Sequence, residues 1–373
     1  MSRLAVGLIL LVVTATMARR ITKKLLMKAV AAEPVLIIGG TGLMGVPTAR
    51  ALQELGHKVV IMSRGREDTA QGTKGRRPAL PENIELLVCD REDGRAFHAA
   101  LTAPTCPSII VDFTAMAPKH IESVFAAHRA RPVSHYVFIS TNMVYPGGVE
   151  NMDLSERASA GTPVSEDEVR YDAAATAPEN YGGNKLKCEA LLSTDPLTLP
   201  STIVRPPAVV GPGCDSRHER LHRFVANLPP MPPPERPRRP AETPGQRFRV
   251  ACADDVASVI AALVAAGPTE TVEVYNVASG DARGVTMDEY AVALRAAVES
   301  AGGGGEGAAG VAVEAPPGGA YEGCVPMEAV LLRNYEKQAV LSSAKAEHEL
   351  GFEPTPLKDF LEQAVQWHTP LIE

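Results

Sequence analysis

The sequence lacks the features that define several protein classes. Its six cysteines form no CxxC pair and no metal-like pairing with histidine, and there is no HExxH motif. We therefore predict reduced thiols and no metal site. The apolar stretch 4–13 falls short of the about 20 residues that cross a bilayer comfortably. No internal repeat is evident, so a repeat architecture is not indicated.

Acidic residues are missing from the first 32 positions, which hold six of the 37 basic residues. The remaining chain has 31 basic and 44 acidic residues, a net charge of −13. A body with this charge repels phosphate backbones, so we expect no nucleic-acid partner.

The N-terminal segment, residues 1–33, stands apart from the rest of the chain. Small residues follow its apolar stretch at 14–18, and an acid-free basic segment follows these. This order resembles the two-part presequence of a protein sent to a complex algal plastid, and it predicts a plastid location after removal. The alternative is a retained membrane anchor facing the cytoplasm, because the basic residues could hold a cytoplasmic flank.

A strand, a glycine-rich turn and a helix follow one another at 35–55. Four apolar residues, 35–38, predict a strand that is buried on both faces. Glycines at this point allow a tight turn and a close approach to a pyrophosphate, which the helix N-terminus then attracts. The predicted cofactor-binding residues of this turn are Gly39, Thr41, Gly42, Leu43, Met44 and Gly45.

The end of the second predicted strand, residues 58–62, bears on the choice of cofactor. An acidic residue there would accept the ribose 2′-hydroxyl of NAD, whereas an arginine accommodates the 2′-phosphate of NADP. The sequence has Ser63 and Arg64 and no acid. It therefore favours NADP, although NAD is possible and Arg64 could instead be a solvated loop charge.

Further apolar runs alternate with helical patterns. They predict strands at 84–89, 108–113, 135–140 and 201–205. This alternation predicts an α/β fold with a Rossmann-type, doubly wound parallel sheet, and a cofactor that lies across the carboxyl ends of its strands. Asp90, Thr114 and Ala115 would lie at those ends. Asp90 could bond the adenine amino group, or it could cap the following turn.

Three side chains suited to proton transfer follow the fifth strand. Tyr181 and Lys185 are four residues apart, which places them on one face of a predicted helix. We expect the lysine ammonium and a positive nicotinamide ring to lower the tyrosine pKa from about 10. Thr141, at the end of the fifth strand, could hydrogen-bond the same substrate oxygen.

These motifs resemble the extended short-chain dehydrogenases/reductases of the NAD-dependent epimerase/dehydratase family. The resemblance covers about residues 34–370. It rests on the glycine turn, Asp90, the segments 140–145, 205–212, 254–257 and 275–277, and the closing residues 343–352. It implies that Tyr181 is the catalytic acid/base, that Lys185 is its electrostatic partner and a ribose ligand, and that Thr141 is the catalytic Ser/Thr.

The resemblance also implies a division of the chain. Residues 34–205 would form the NAD(P)-binding Rossmann domain, to which 246–280 return. Residues 206–245 and 281–373 would form a smaller C-terminal substrate-binding part, and a homodimer would be possible.

Two departures from the family pattern bear on the reaction and on the substrate. Sugar dehydratases have an Asp-Glu pair after the catalytic threonine, but here Asn142 and Met143 follow, which argues against dehydration. Phe248, flanked by Arg247 and Arg249, occupies the register position of an arginine that binds nucleotide diphosphates in similar epimerases.

The sequence as a whole predicts an NADP-dependent oxidoreductase or epimerase acting on a small hydroxyl- or keto-bearing substrate of the sugar or nucleotide-sugar type. The alternative is a cofactor-binding scaffold or plastid RNA-associated protein without turnover. The chain is similar in part to plastid stem-loop RNA-binding proteins, but those lack a good YxxxK pattern.

Overall fold

The computed structural model describes residues 32–65, 79–145, 157–158, 160–194, 199–212, 247–300 and 340–368. Nearly all of the predicted presequence lies outside these ranges. Much of the predicted substrate-binding region, including residues 213–246 and 301–339, also lies outside them. Within them, no helix has the length and hydropathy needed to cross a bilayer.

The elements alternate through most of the described chain. The strands there are β1 (Val35–Ile38), β2 (Val59–Ser63), β3 (Glu85–Val88), β4 (Ile109–Asp112), β5 (His135–Ile139), β6 (Ser201–Arg205), β7 (Ala208–Val210), β8 (Arg247–Phe248), β9 (Val250–Cys252), β10 (Glu273–Asn276) and β11 (Val285–Thr286). The α-helices there are α1 (Gly45–Glu54), α2 (Gly94–Thr102), α3 (Pro118–Ala130), α4 (Tyr181–Thr194), α5 (Ala253–Ala266), α6 (Met287–Ser300), α7 (Ala344–Leu350) and α8 (Leu357–His368). Short 3-10 helices span Asn142–Val144, Glu166–Glu168 and Tyr171–Thr176.

Seven strands form one parallel sheet in the order β3-β2-β1-β4-β5-β6-β10. The predicted α/β fold with a Rossmann-type parallel sheet is therefore confirmed. The strand order reverses at β1, which pairs with β2 on one side and β4 on the other. The crevice at the carboxyl ends of β1 and β4 is thus the topological switch point, where ligands of open α/β sheets bind.

Side chains of successive strand residues point to opposite faces of the sheet, so each face has its own apolar core. Val35 and Ile37 of β1 pack with α1 and α5 on one face. Leu36 and Ile38 pack with α2, α3 and α4 on the other. Because both faces are covered at the centre of the sheet, central strands such as β1 are continuous apolar runs, which made them predictable.

A smaller apolar core lies towards the C-terminus. There β7 pairs with β9 and β8 pairs with β11 outside the main sheet, and α6 and α8 pack against them. The rings of Phe248 and Tyr290 lie 5.7 Å apart in this core. Of the range 246–280, α5 and β10 belong to the Rossmann layers, whereas β8 and β9 contribute to the smaller core.

His135 is a buried titratable group in the main sheet. Its Nε2 lies 2.9 Å from the Thr202 hydroxyl, and its Nδ1 has no partner. Burial lowers the pKa of His135 from 6.5 to about 4. The unfolded chain therefore binds this proton more readily than the folded chain between those two pH values.

We predict that the free energy of unfolding falls as the pH decreases from 6.5 to 4, by about 3 kcal/mol from this residue. The double variant His135→Leu/Thr202→Val should remove this part of the slope, because it deletes the titrating ring and its hydroxyl partner together. Urea titrations at several pH values measure the effect. His98→Gln, at an exposed position, should keep the native slope, and an unchanged slope in the double variant would contradict the assignment.

Candidate active site

The glycine turn between β1 and α1 is shaped by close backbone contacts. Gly39 has a φ of +81°, which favours glycine. A Cβ atom at Gly45 would lie 2.5 Å from Cα of Gly40, so the helix packs directly on the turn. A Cβ atom at Gly42 would meet only the Gly39 carbonyl oxygen, at 3.7 Å. The backbone is therefore open to a ligand at Gly42.

The N-terminus of α1 offers backbone N–H groups to an anion. Its N-cap residue, Met44, makes no side-chain capping bond, and the first turn contains no acidic residue. The helix dipole and these N–H groups favour a negatively charged ligand. Thr41 is largely buried, whereas Leu43 and Met44 are partly buried against the core of this face.

The residues predicted to contact the adenosine half lie at the ends of β2 and β3. Ser63 is half-buried and Arg64 is exposed. Asp90 is also exposed, and its Oδ1 accepts a hydrogen bond from the backbone N–H of Glu92, at 3.0 Å. This is the turn-capping contact considered as the alternative for Asp90, whereas a bond to adenine stays a prediction.

The segment after β4 is fixed by a buried ion pair that the sequence analysis missed. Arg91 donates to both carboxylate oxygens of Asp112, at 2.9 and 3.0 Å, and to the Thr114 hydroxyl at 2.7 Å. Tyr136 donates to the same carboxylate. Burial opposes ionisation of Asp112, but the charge and hydrogen bonds of Arg91 outweigh it and hold its pKa below the usual value. The Thr114 hydroxyl is therefore already engaged by the chain.

Lys185 is buried between the ends of β4 and β5. Its Nζ donates to the carbonyl oxygens of Ala115, at 2.7 Å, and Ile139, at 2.6 Å. It also lies 4.6 Å from the centroid of the Phe138 ring. Burial lowers the pKa of Lys185 to about 8. An ammonium has three N–H donors, so one is left for a ligand.

Tyr181 begins α4 and lies next to Thr141. Thr141 Oγ1 accepts the backbone N–H of Met143 at 3.2 Å and donates to Asn142 Oδ1 at 3.3 Å, and the Thr141 side chain lies close enough to the Tyr181 phenol to lower its pKa. Half of the Tyr181 surface is exposed. The structure therefore brings Thr141, Tyr181 and Lys185 together at one edge of the sheet.

By itself, the chain raises the pKa of Tyr181, and the expected lowering by Lys185 together with a positive nicotinamide ring stays a prediction. Although half of the residue's surface is exposed, burial of the phenol by the surrounding protein raises its pKa, and the Thr141 side chain lowers it only in part. The Lys185 ammonium lies 5.9 Å from the Tyr181 ring centroid and donates to carbonyl oxygens. The phenol is therefore protonated at neutral pH, in the form that can donate a proton.

Two glycines allow the start of α4 to approach its neighbours. A Cβ atom at Gly182 would lie 2.3 Å from the Met143 carbonyl oxygen, and one at Gly183 would lie 2.0 Å from that of Pro178. Adjacent glycines are unfavourable inside helices. This pair, directly after Tyr181, was a sequence signal for close packing that the motif analysis did not use.

The arginines beside Phe248 are engaged by the chain itself. Arg249 is buried and donates to the carbonyl oxygens of Ala278 and Leu341, at 2.8 and 2.7 Å. Arg247 pairs with Glu289. Phe248 is buried in the smaller core. Both guanidinium groups are therefore bonded to groups of the chain itself.

A glycine turn at the switch point of a parallel sheet is the arrangement that α/β proteins use to bind dinucleotides, and here a tyrosine and a lysine of α4 lie against the neighbouring strand ends. Residues 35–278, more than half of the chain, match the model of the NAD dependent epimerase/dehydratase family. The chain belongs to this family. A search of curated protein sequences finds no significant match.

Solved structures of epimerases have the same fold. The epimerase Mth375 of Methanothermobacter thermautotrophicus is 18% identical, with a TM-score of 0.62, and the match covers 92% of this chain and 94% of that one. The UDP-glucuronic acid 4-epimerase of Bacillus cereus, in complex with NAD, is 14% identical with a TM-score of 0.58, covering 91% and 100%. The UDP-glucose 4-epimerase of Bifidobacterium longum, in complex with NAD+ and UDP, is 15% identical with a TM-score of 0.58, covering 90% and 98%.

We predict unequal stability effects for two alanine substitutions in the glycine turn. Gly45→Ala should lower the free energy of unfolding by about 1–3 kcal/mol, because the new methyl group overlaps the Gly40 backbone. Gly42→Ala should change it by less than about 1 kcal/mol, because its methyl group makes only an ordinary van der Waals contact with the Gly39 carbonyl oxygen. Urea unfolding of both variants measures the difference, and equal destabilisation would contradict this description of the turn.

Proposed function

We propose that the protein is an NADP-dependent oxidoreductase or epimerase that acts on a hydroxyl- or keto-bearing substrate of the sugar or nucleotide-sugar type. The observation that carries this proposal is the convergence of Thr141, Tyr181 and Lys185 beside the glycine turn. Family membership and the fold shared with NAD-bound epimerases support an enzyme that uses a nicotinamide cofactor.

The residues present fit such a cofactor. The backbone at Gly42 and the uncapped N-terminus of α1 would receive its pyrophosphate. The remaining N–H of Lys185 would bond the ribose next to the nicotinamide. Arg64, which is exposed at the end of β2, would lie near the 2′-phosphate of the adenosine half. Asp90 and the segment at Thr114 would border the adenine.

Proton transfer is assigned to Tyr181. A bound nicotinamide would supply the acceptor or donor of a hydride at the substrate carbon. The oxygen on that carbon must lose or gain a proton at the same time, and the Tyr181 phenol would carry it. Thr141 would hold the substrate oxygen by a hydrogen bond. The Lys185 ammonium and a positive nicotinamide would favour the phenolate when the proton leaves, which burial alone does not.

The proposal predicts that Arg64→Ala removes the preference for NADPH. A 2′-phosphate beside Arg64 gains a charge-assisted contact of about 1.5–3 kcal/mol that NADH lacks. The native protein should therefore bind NADPH about ten- to a hundredfold more tightly than NADH. Fluorescence titration with both nucleotides measures this ratio. Arg129→Ala, at an exposed position of α3, is the control that should keep it, and a native ratio in Arg64→Ala would refute the role of Arg64.

The proposal also predicts how the three central residues differ. Tyr181→Phe keeps the ring but removes the hydroxyl, so folding and NADPH binding should survive while kcat falls about 10²–10⁴-fold. Thr141→Val should cost less, because it removes a positioning hydrogen bond. Lys185→Met should weaken both kcat and cofactor binding. Tyr275→Phe, which removes a phenol bound to Glu349, is the matched control and should keep kcat.

These comparisons need a substrate, which a metabolite pull-down with the purified protein and mass spectrometry would identify. A Tyr181→Phe variant with native turnover would show that another group transfers the proton. A protein that binds nicotinamide nucleotides but turns over none of the captured metabolites would instead support the scaffold alternative.

A further inference from the structure

An ion pair is completely buried behind the three central residues. Glu189 of α4 and Arg205 at the end of β6 each have fully buried side chains. Arg205 Nη2 donates to Glu189 Oε2 at 2.6 Å, and its Nε donates to both carboxylate oxygens, at 3.1 and 3.2 Å. The opposite charge and hydrogen bonds of Glu189 raise the pKa of Arg205 despite its burial, so the guanidinium stays charged.

This pair is connected directly to the strand end that bears Thr141. Tyr181, Lys185 and Glu189 are each four residues apart, so they share one face of α4. The Ser140 hydroxyl donates to the Glu189 carboxylate, and Ser140 is the residue before Thr141. The backbone N–H of Ser140 donates to the Val204 carbonyl at 2.7 Å, next to Arg205. The position of Thr141 relative to α4 is thus fixed through Ser140.

Arg205 extends the same network to the segment that precedes α4. Its Nη1 donates to the Tyr145 hydroxyl at 3.2 Å and to the Glu166 carbonyl at 3.0 Å. Its Nη2 also contacts the Tyr171 hydroxyl at 3.1 Å, and Tyr171 donates to Glu189. One ion pair therefore joins α4, the ends of β5 and β6 and both 3-10 segments that contain Glu166 and Tyr171.

We propose that Glu189 and Arg205 are positioning residues, which hold the strand end that bears Thr141 against the start of α4, where Tyr181 lies. This inference rests on the proposed function. Stability alone does not explain the pair, because replacing a buried ion pair with well-packed apolar residues is often neutral or stabilising. Apolar side chains, however, cannot accept a hydrogen bond from the Ser140 hydroxyl, and they cannot hydrogen-bond the hydroxyl groups of Tyr145 and Tyr171.

The double variant Glu189→Leu/Arg205→Met separates positioning from stability, since it leaves no unpaired buried charge. We expect folding and NADPH affinity close to native, together with a displacement of Thr141 from the Tyr181 phenol, whose pKa Thr141 lowers. The Tyr181 phenol should then titrate at higher pH, as it should in Thr141→Val. Ultraviolet titration measures this without a substrate, as the difference between each protein and its Tyr181→Phe counterpart. An unchanged titration would overturn the proposal.

Turnover gives a second readout. The double variant should lose kcat about 10- to 100-fold, with little change in KM, and adding Thr141→Val to it should cost much less than in the native background. Fully additive effects would contradict positioning through Thr141. The control pair Lys345–Glu273, replaced as Lys345→Met/Glu273→Leu, joins α7 to β10 and should leave kcat unchanged.

If the double variant does not fold, the single variant Ser140→Ala tests the same proposal. It keeps the ion pair and breaks only the hydrogen bond that links the pair to the end of β5, so it should shift the Tyr181 titration in the same direction.

The positioning proposal and the proposed function would fail in different ways. If Tyr181→Phe abolishes turnover while the pair and Ser140 variants behave like the native protein, only the positioning role is wrong. If Tyr181→Phe retains turnover, the proposed function itself is wrong.

Discussion

The arrangement of the site depends on an ammonium group buried against carbonyl oxygens. Within the described residues, Lys185 bonds the ends of β4 and β5 through Ala115 and Ile139 rather than through a carboxylate. Its pKa near 8 reflects the cost of burying charge without a bonded anion. These two bonds dock α4 onto the sheet edge, so they also place Tyr181 beside Thr141.

Two buried ion pairs flank this ammonium and complete the edge. Arg91–Asp112 fixes the segment after β4, on the side proposed for the adenosine half, and Glu189–Arg205 fixes the segment after β5, on the side proposed for the substrate. Any arrangement that separated the two partners of a buried pair would leave an uncompensated buried charge, which is costly. Each pair therefore holds its segment in one arrangement. The half-exposed Tyr181 side chain thus lies over an interior that buried ion pairs hold together.

Much of the fold could be predicted from sequence because each face of the sheet is covered by helices. Buried strands such as β1 are continuous apolar runs, and the Tyr181–Lys185 spacing shows directly that the two residues share a helix face. The ion pairs could not be predicted, because Arg91 and Asp112, or Glu189 and Arg205, meet only once the strand order is known. The Tyr181 pKa depends on burial and on the neighbouring Thr141 side chain, and the residue spacing reveals neither. The small β7–β9 and β8–β11 pairs were missed because two- and three-residue strands have no usable periodicity.

The most direct test of this account is to identify the nucleotide that the protein binds. Purified protein would be saturated with a mixture of NADP, NAD, their reduced forms and ATP, separated from free nucleotide and denatured, and the released molecules identified by mass spectrometry. The account predicts about one NADP or NADPH per chain, and much less from Gly42→Ala. Release of no nicotinamide nucleotide, or equal retention by Gly42→Ala, would contradict it.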